Sequence, residues 1–431
     1  MRKKISILLV FLLVLGWYET VQAVFGKSAE AEKHVVAARE YEKKEIYEDA
    51  LTEYEAALSL TPKSSEISHK IAEMQLLLGD TTEFVTTCEA LIYQHKTDET
   101  ALEMLVEYYC ENGKKKDAVL LLKELRNNEE KNERVNALWR QYRGYYEEIY
   151  FYCEEMFPYY GQYAVAGNNG SYGVVDTEGN IVIPITSEKA GYFCGDEPQV
   201  APVMQDGACF YVNKKGRKKI VPDKEYEELG VLSENRIAVK KDGKAGYVDE
   251  AMHVLTELEW EEATAFRERV AAVKKDGKWA LIKDDFTLLT EYVYDDVATD
   301  EAGFCCGEKR IFARTADGYM LLNEKGEAVG ERLYEAARPF AEEVTAVCTA
   351  GKWGYINTDG EWVVEAVYED AYPFAQGLAP VRYDGKWGYI NLRGEIVVEA
   401  EFDMAYPFNK DGTAPVKRGD DWTLIRLYSI V

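Results

Sequence analysis

The side chains in this sequence that could do chemistry are four histidines, eight cysteines and a large excess of carboxylates. The histidines stand at His34, His69, His95 and His253, and no two share a metal-ligand spacing. The cysteines stand at 88, 110, 153, 194, 209, 305, 306 and 348, with no CxxC pair and no disulfide-framework spacing. Most sit in apolar text, as Cys209 does before Phe210, and read as small buried hydrophobes. Cys305 and Cys306 are adjacent and could form a pair of exposed thiols. Asp284-Asp285 and Asp295-Asp296 could attract a cation, but they lack the loop pattern of a calcium site and read as solvated turn charges. GxSxG, HExxH and P-loop motifs are absent, and no pair of carboxylates is singled out as acid and base. No catalytic, metal-binding or cofactor-binding residue is therefore assigned, and no cofactor is expected. The reading is non-enzymatic. An undetected hydrolase is the minor alternative, whose sign would be a deep polar pocket with pKa-shifted groups.

Charge and length narrow the partners. The chain has 431 residues and a net charge of −26. Such a surface repels a phosphate backbone, so no nucleic-acid partner is expected. The acidity is spread along the chain and reads as a solubility device. Apolar content of 47% excludes wholesale disorder, and the length calls for two or three folded units.

Residues 1–26 read as a targeting segment. Arg2, Lys3 and Lys4 precede an apolar run from Ile5 to Leu15, and Val21-Gln22-Ala23 resembles a small-x-small cleavage site. A cleaved signal peptide and an uncleaved signal anchor both fit. Either exports the rest, so membrane contact is expected only through this segment.

The elements that must position any site are repeats. Residues 31–64 carry a helix–turn–helix pattern, with Ala38 and Tyr41 on one helical face and Ala50, Tyr54 and Ala57 on the next. Pro62 ends the pair. The text EDALTEYEAALSLTP resembles the second helix of a tetratricopeptide repeat. Ala50, Phe84 and Ala118 are equivalent at that period, as are Tyr54, Cys88 and Leu122. Units are expected at 31–64, 65–98 and 99–132, with a capping helix over 133–156. The helical region thus spans 27–156. The resemblance implies a concave peptide-holding face.

From 157 to 431 the text changes to short β-prone runs between Gly turns. GKWGYINTDGEWVVEAVYEDAYPF from Gly351 and GKWGYINLRGEIVVEAEFDMAYPF from Gly385 are near duplicates. Their WG dipeptides and length resemble the WG-repeat family of bacterial proteins. Eight anchors align: Tyr172, Cys209, Ala245, Trp279, Tyr319, Trp353, Trp387 and Trp422, spaced by 34 to 40 residues. Positions two and three after each anchor are both apolar or aromatic, predicting a strand buried on both faces. Six residues before each anchor stands Ala or Val, and a Gly turn between the two runs marks a hairpin. A third strand follows a second turn. Each anchor Trp packs on its neighbour, worth about 3–5 kcal/mol if truncated, and the Gly after it admits close backbone approach.

The expected fold class is α+β and multidomain: tetratricopeptide-like helical repeats, then an all-β WG-repeat array. The array forms a propeller-like ring or an open β superhelix, with the ring favoured. Against the ring, about 34 residues is lean for a four-stranded blade, and no spare strand is evident to latch it. Two repeat arrays in one exported chain point to a scaffold or adaptor for a protein or peptide partner. The 13% aromatic content also suits a carbohydrate or cell-wall binder.

Overall fold

The computed structural model describes residues 26–94, 98–128, 132–194, 199–223 and 225–430. The targeting segment and His95 lie outside the described residues. Among those described, no helix is long and apolar enough to cross a membrane. The chain divides into two compact units, 1–142 and 143–431.

In the first unit, helix α1 covers 26–42. It is followed by α2 (Tyr47–Leu60), α3 (Ser65–Leu78), α4 (Thr81–Gln94), α5 (Glu99–Glu111), α6 (Lys115–Asn128) and α7 (Glu133–Tyr142). α2, α4 and α6 begin 34 residues apart, as the period requires. Ala50, Phe84 and Ala118 are fully buried, as are Cys88 and Leu122, with Tyr54 nearly so. The small residues let helices approach. Where Phe84 replaces one, its ring is taken up edge-on by Tyr108 at 5.2 Å. Local chemistry sets the helix ends. Ser64 accepts from the Ile67 N–H, Asp98 accepts from the Ala101 N–H at 3.0 Å, and Gly79 closes α3 at φ 83°.

The expected cap over 133–156 is corrected. α7 stops at Tyr142, and Tyr146–Cys153 is a strand, β1. Gly144 breaks the helix in a position only glycine can occupy, because a Cβ there would lie 1.9 Å from the Val397 carbonyl oxygen. The run YEEIYFYC that follows is aromatic and β-branched, which suits a pleated surface better than a helix.

The second unit is an eight-bladed propeller-like ring. Blades 1 to 8 have their central hairpins at 164–175, 200–213, 237–248, 270–283, 310–323, 344–357, 378–391 and 413–427. The eight anchors share one register. Gly167 pairs with Tyr172, Met204 with Cys209, Lys240 with Ala245, Lys274 with Trp279, Arg314 with Tyr319, Cys348 with Trp353, Arg382 with Trp387, and Lys417 with Trp422. The strand after the anchor is buried on both faces, with Tyr355, Ile356, Tyr389 and Ile390 at 0% exposure.

Both objections to a ring are answered. Each hairpin gains a two-residue strand before it, such as Asp370–Ala371, so a lean repeat still builds a blade. In blades 3 and 4 the strand after the hairpin is reduced to isolated bridges, such as Trp279 to Tyr294. The latch is β1, which pairs antiparallel with Asp421–Leu427 and completes blade 8 from the opposite end of the unit. Arg426 of blade 8 also reaches Glu178 of blade 1 at 2.6 Å.

Part of the acidity has a structural use that the solubility reading missed. One carboxylate before each of several hairpins accepts from the glycine N–H of the following turn: Glu188 from Gly207, Glu335 from Gly351, Asp403 from Gly419. A second set of side chains, one carboxylate and three neutral amides, folds the later turn. Asp176, Asn213, Asn357 and Asn391 each accept from the N–H groups two and four residues on.

Candidate functional site

The residues first considered for chemistry are dispersed. His34 pairs with Glu53 at 2.6 Å, His69 with Asp98 at 2.7 Å and His253 with Asp249 at 3.0 Å. Asp284 is held by Arg269 at 2.7 Å, Asp285 folds a turn onto Thr287, and Asp295 meets Lys278 at 2.5 Å. Among the described residues no group of His, Cys, Asp or Glu could hold a metal ion. Cys305 and Cys306 are fully buried, in line with the reading of the cysteines as small buried hydrophobes and against the alternative of a pair of exposed thiols. Burial pushes the Cys305 thiol up to about 11 and Cys194 up to about 12, so both stay protonated at neutral pH.

What converges is the segment between each two-residue strand and its hairpin. These segments carry a buried aromatic at one equivalent position: Phe193, Phe266, Phe340, Phe374 and Phe408. Just before it, Arg338, Tyr372 and Tyr406 form a run. Arg338 lies 3.8 Å over the Tyr372 ring, and Tyr372 meets Tyr406 edge-on at 5.2 Å. Tyr406 stacks on Trp422 at 4.8 Å. The anchor Trp residues thus hold a wall at the middle of the ring.

Blade 5 departs from the pattern. Its segment is longer and carries Thr299-Asp300-Glu301-Ala302-Gly303-Phe304 toward the centre. Asp300 folds the turn by accepting from the Ala302 and Phe304 N–H groups at 3.0 and 2.9 Å. The Ala265 N–H binds the Gly303 carbonyl at 2.9 Å. Phe304 then packs among Val165, Tyr192, Cys194, Val231, Ala265 and Ala302, drawn from blades 1 to 5. Arg267 pins the insertion, pairing with Asp300 at 2.9 Å, donating to the Tyr160 hydroxyl at 2.6 Å and lying 3.7 Å over the Phe304 ring.

Two cavities flank this insertion and share Asp296, Val297 and Thr299. One, of about 650 Å³, is walled by Tyr160, Arg267, Glu301, Arg338, Tyr372 and Pro407 among others. Glu301 is solvent-exposed at its wall, and partial desolvation there, with Asp300 beside it, raises the carboxyl above the usual range, opposed by its own backbone N–H and by Arg338. Burial likewise raises Tyr372, and holds Tyr160 at about 12 against the opposing pull of Arg267. The phenols therefore act through hydroxyl hydrogen bonds and ring faces.

The other cavity, of about 720 Å³, lies among blades 2 to 5. It exists because large side chains are missing. Where blades 6 to 8 place Arg338, Tyr372 and Tyr406, blades 2 to 4 place Gly191, Gly230 and Thr264, and two of their anchors are Cys209 and Ala245. The same worn repeats that weaken the pattern hollow the ring.

Sequence reading missed this site because its polar residues lie in the passages between blades and in one insertion, outside the hairpins that the repeat marks. One signal was present. The anchors Trp279 and Tyr319 lie 40 residues apart, the widest spacing in the array, and the insertion falls between them.

Comparison with known proteins agrees with this division. The WG containing repeat family model matches residues 172–208, 210–244, 246–279, 319–353, 353–387 and 387–422, so the C-terminal region is built of WG repeats. The matches pass over 280–318, which holds the insertion. No curated protein matches the sequence. Among solved structures, the dihydro-heme d1 dehydrogenase NirN in complex with DHE is similar at 9% identity and TM-score 0.41, over 66% of this chain and 72% of that one. BBS1N in complex with ARL6DN is similar at 11% identity and TM-score 0.36, over 66% and 95%. The extracellular domain of the one component system BT4673 from B. thetaiotaomicron is similar at 11% identity and TM-score 0.35, over 65% of this chain and 42% of that one. Likenesses this distant carry no argument about function.

Proposed function

We propose that this chain is a non-enzymatic, exported scaffold whose WG-repeat ring binds a protein or peptide partner at its centre. The observation that carries the reading is the central cavity itself. The hairpin residues build blades, whereas the cavity combines the recurring Pro-Phe passages between blades with the side chains of the blade 5 insertion, and its polar groups are held by ion pairs and ring contacts. A preformed concave site with a few placed polar groups is the general form of a binding site. Export rests on the basic and apolar pattern of residues 2–23. The helical unit, read as tetratricopeptide-like, would supply a second peptide-holding surface.

A photo-crosslinking residue placed at Glu308, on the cavity lip, tests the reading against one at Val367, on an outer strand and 60% exposed. The expected result in intact cells is a discrete protein adduct from position 308 and none from 367. Equal labelling from both positions, or none from either, would reject a central protein-binding site.

A further inference from the structure

In every blade the residue after the two-residue strand donates its N–H to the carbonyl of the residue seven places before the anchor. That bond fixes which side chain lies against the anchor. Four consecutive blades fill the place. Arg338 lies 5.2 Å over Trp353 in blade 6, and Tyr372 meets Trp387 at 5.7 Å in blade 7. Tyr406 stacks on Trp422 at 4.8 Å in blade 8, and Phe157 meets Tyr172 at 6.4 Å in blade 1. The next three blades do not. There the equivalent pairs are Gly191 with Cys209, Gly230 with Ala245, and Thr264 with Trp279. All six of these residues line the cavity of about 720 Å³.

The void is therefore the space of missing stacks and not of a distorted scaffold. The hairpins of blades 2 to 4 keep the register of the others. Trp279 is the one anchor Trp that receives no ring or guanidinium from its own passage. The Thr264 hydroxyl is turned to the Ala272 N–H and the Cys305 thiol, and Lys274, which lies 5.7 Å from the Trp279 ring, is tied to Glu262 at 3.0 Å. The interior is apolar, with Val203, Val239 and Val297 in its walls. Charge stands at the exposed mouth, where Lys189 and Glu228 pair at 3.4 Å. An apolar interior with a polar rim, at a volume inside the usual range of about 300–1,000 Å³, is the form of a ligand pocket.

We propose that this cavity takes an aromatic side chain, tryptophan or tyrosine, from the partner, seated where blades 2 to 4 lack the stack that the rest of the ring supplies for itself. The proposal rests on the reading of the ring as a protein-binding site. Blades 7 and 8 show the arrangement that the slot is built to hold, a ring 4.8 to 5.7 Å from an anchor Trp. Trp279 keeps that platform in blade 4, and the small residues of blades 2 and 3 give the incoming ring its room. An aliphatic side chain would fill space but forgo the ring-on-ring contact. A ring with eight intact stacks would have no such pocket, so the worn repeats carry the function.

Fluorine NMR titration of the full chain with 5-fluoro-Nα-acetyl-tryptophanamide tests it. Saturable binding is expected, with displacement by Nα-acetyl-tyrosinamide and none by Nα-acetyl-leucinamide at equal concentration. Cys209→Trp and Ala245→Trp each restore the anchor residue of blades 6 to 8 and plug the slot. Affinity should fall at least about tenfold in both while the urea midpoint holds or rises, and Val367→Trp on an outer strand should change nothing. A second readout needs no variant: the probe should slow maleimide labelling of Cys209 severalfold and leave Cys110 as it was. Equal displacement by the leucine analogue, parental affinity in both plugged variants, unprotected Cys209, or no saturable binding at millimolar probe would each overturn the proposal. The two readings fail separately. A crosslink from position 308 that persists in both plugged variants keeps the protein-binding ring and removes the aromatic slot. Probe binding that the plugs abolish, without any crosslinked protein, keeps the slot and removes the protein partner.

Discussion

Replacing Gly388 by alanine tests the reason for the glycine that follows the anchors Trp353 and Trp387. The φ of Gly388 is not positive, so its conformation is open to any residue. The constraint is space. A Cβ would lie 2.6 Å from the Val398 carbonyl oxygen and 2.8 Å from the Ala400 nitrogen and the Glu399 carbonyl carbon. All three are backbone atoms, so no side-chain rotation relieves the clash. Relaxing to 3.4 Å moves strand 396–402 outward by about 0.6–0.8 Å. That strain is worth about 1–3 kcal/mol. Loosening one or two bonds of the ladder that pairs Tyr389 with Val398 and Ile390 with Ile396 adds about 1 kcal/mol each. The expected loss is therefore about 2–5 kcal/mol. Gly385 is the control. It lies in the hairpin turn at φ 77° with nothing within 4 Å of its Cβ, so alanine there meets only left-handed strain, about 1–2 kcal/mol. Urea titration followed by tryptophan fluorescence reads Trp353, Trp387 and Trp422 directly. A Gly388→Ala variant within about 0.5 kcal/mol of the parent, well below the strain worked above, or one milder than Gly385→Ala, would refute the close-approach argument.

Three further outcomes follow from the ring. Ile149→Pro removes a ladder donor opposite Leu424 and should lower propeller stability by about 1–3 kcal/mol; an unchanged urea midpoint would mean that β1 is no latch. Maleimide at pH 8 should label at most Cys110 and Cys209 in the folded chain and all eight thiols in urea, since the other six are buried; rapid native labelling of Cys305 or Cys306 would contradict their burial. Glu301 is solvent-exposed, but partial desolvation at the cavity wall raises its carboxyl in the folded state, so its protonated form favours folding below the unfolded pKa and that small benefit is lost as pH rises through the folded value. Glu301→Gln should then raise the melting temperature at pH 7 and lose this advantage near pH 4; a gain that grows on acidification would reverse the sign.

The sequence alone determined what local spacing encodes. Near-duplicate text from Gly351 and Gly385, apolar pairs after each anchor and Gly turns between runs define eight hairpins, and all eight anchors stand in one hydrogen-bond register. Ala50, Phe84 and Ala118 were equally legible, because burial on one helical face repeats with the turn. Tertiary structure alone decided what depends on residues far apart in the chain. Tyr146–Cys153 lies inside the expected capping helix although its residues suit a strand, and only its pairing with Asp421–Leu427 makes it the strand that closes the ring. Adjacency left open whether Cys305 and Cys306 are buried or exposed, and the fold decides it by packing the segment after the insertion into the ring. Gly191, Gly230 and Ala245 read as eroded repeats, yet together they hollow one sector. Tyr192 has no motif to mark it, since what distinguishes it is a buried hydroxyl without a partner among the described residues, and that is settled by the blades that pack around it.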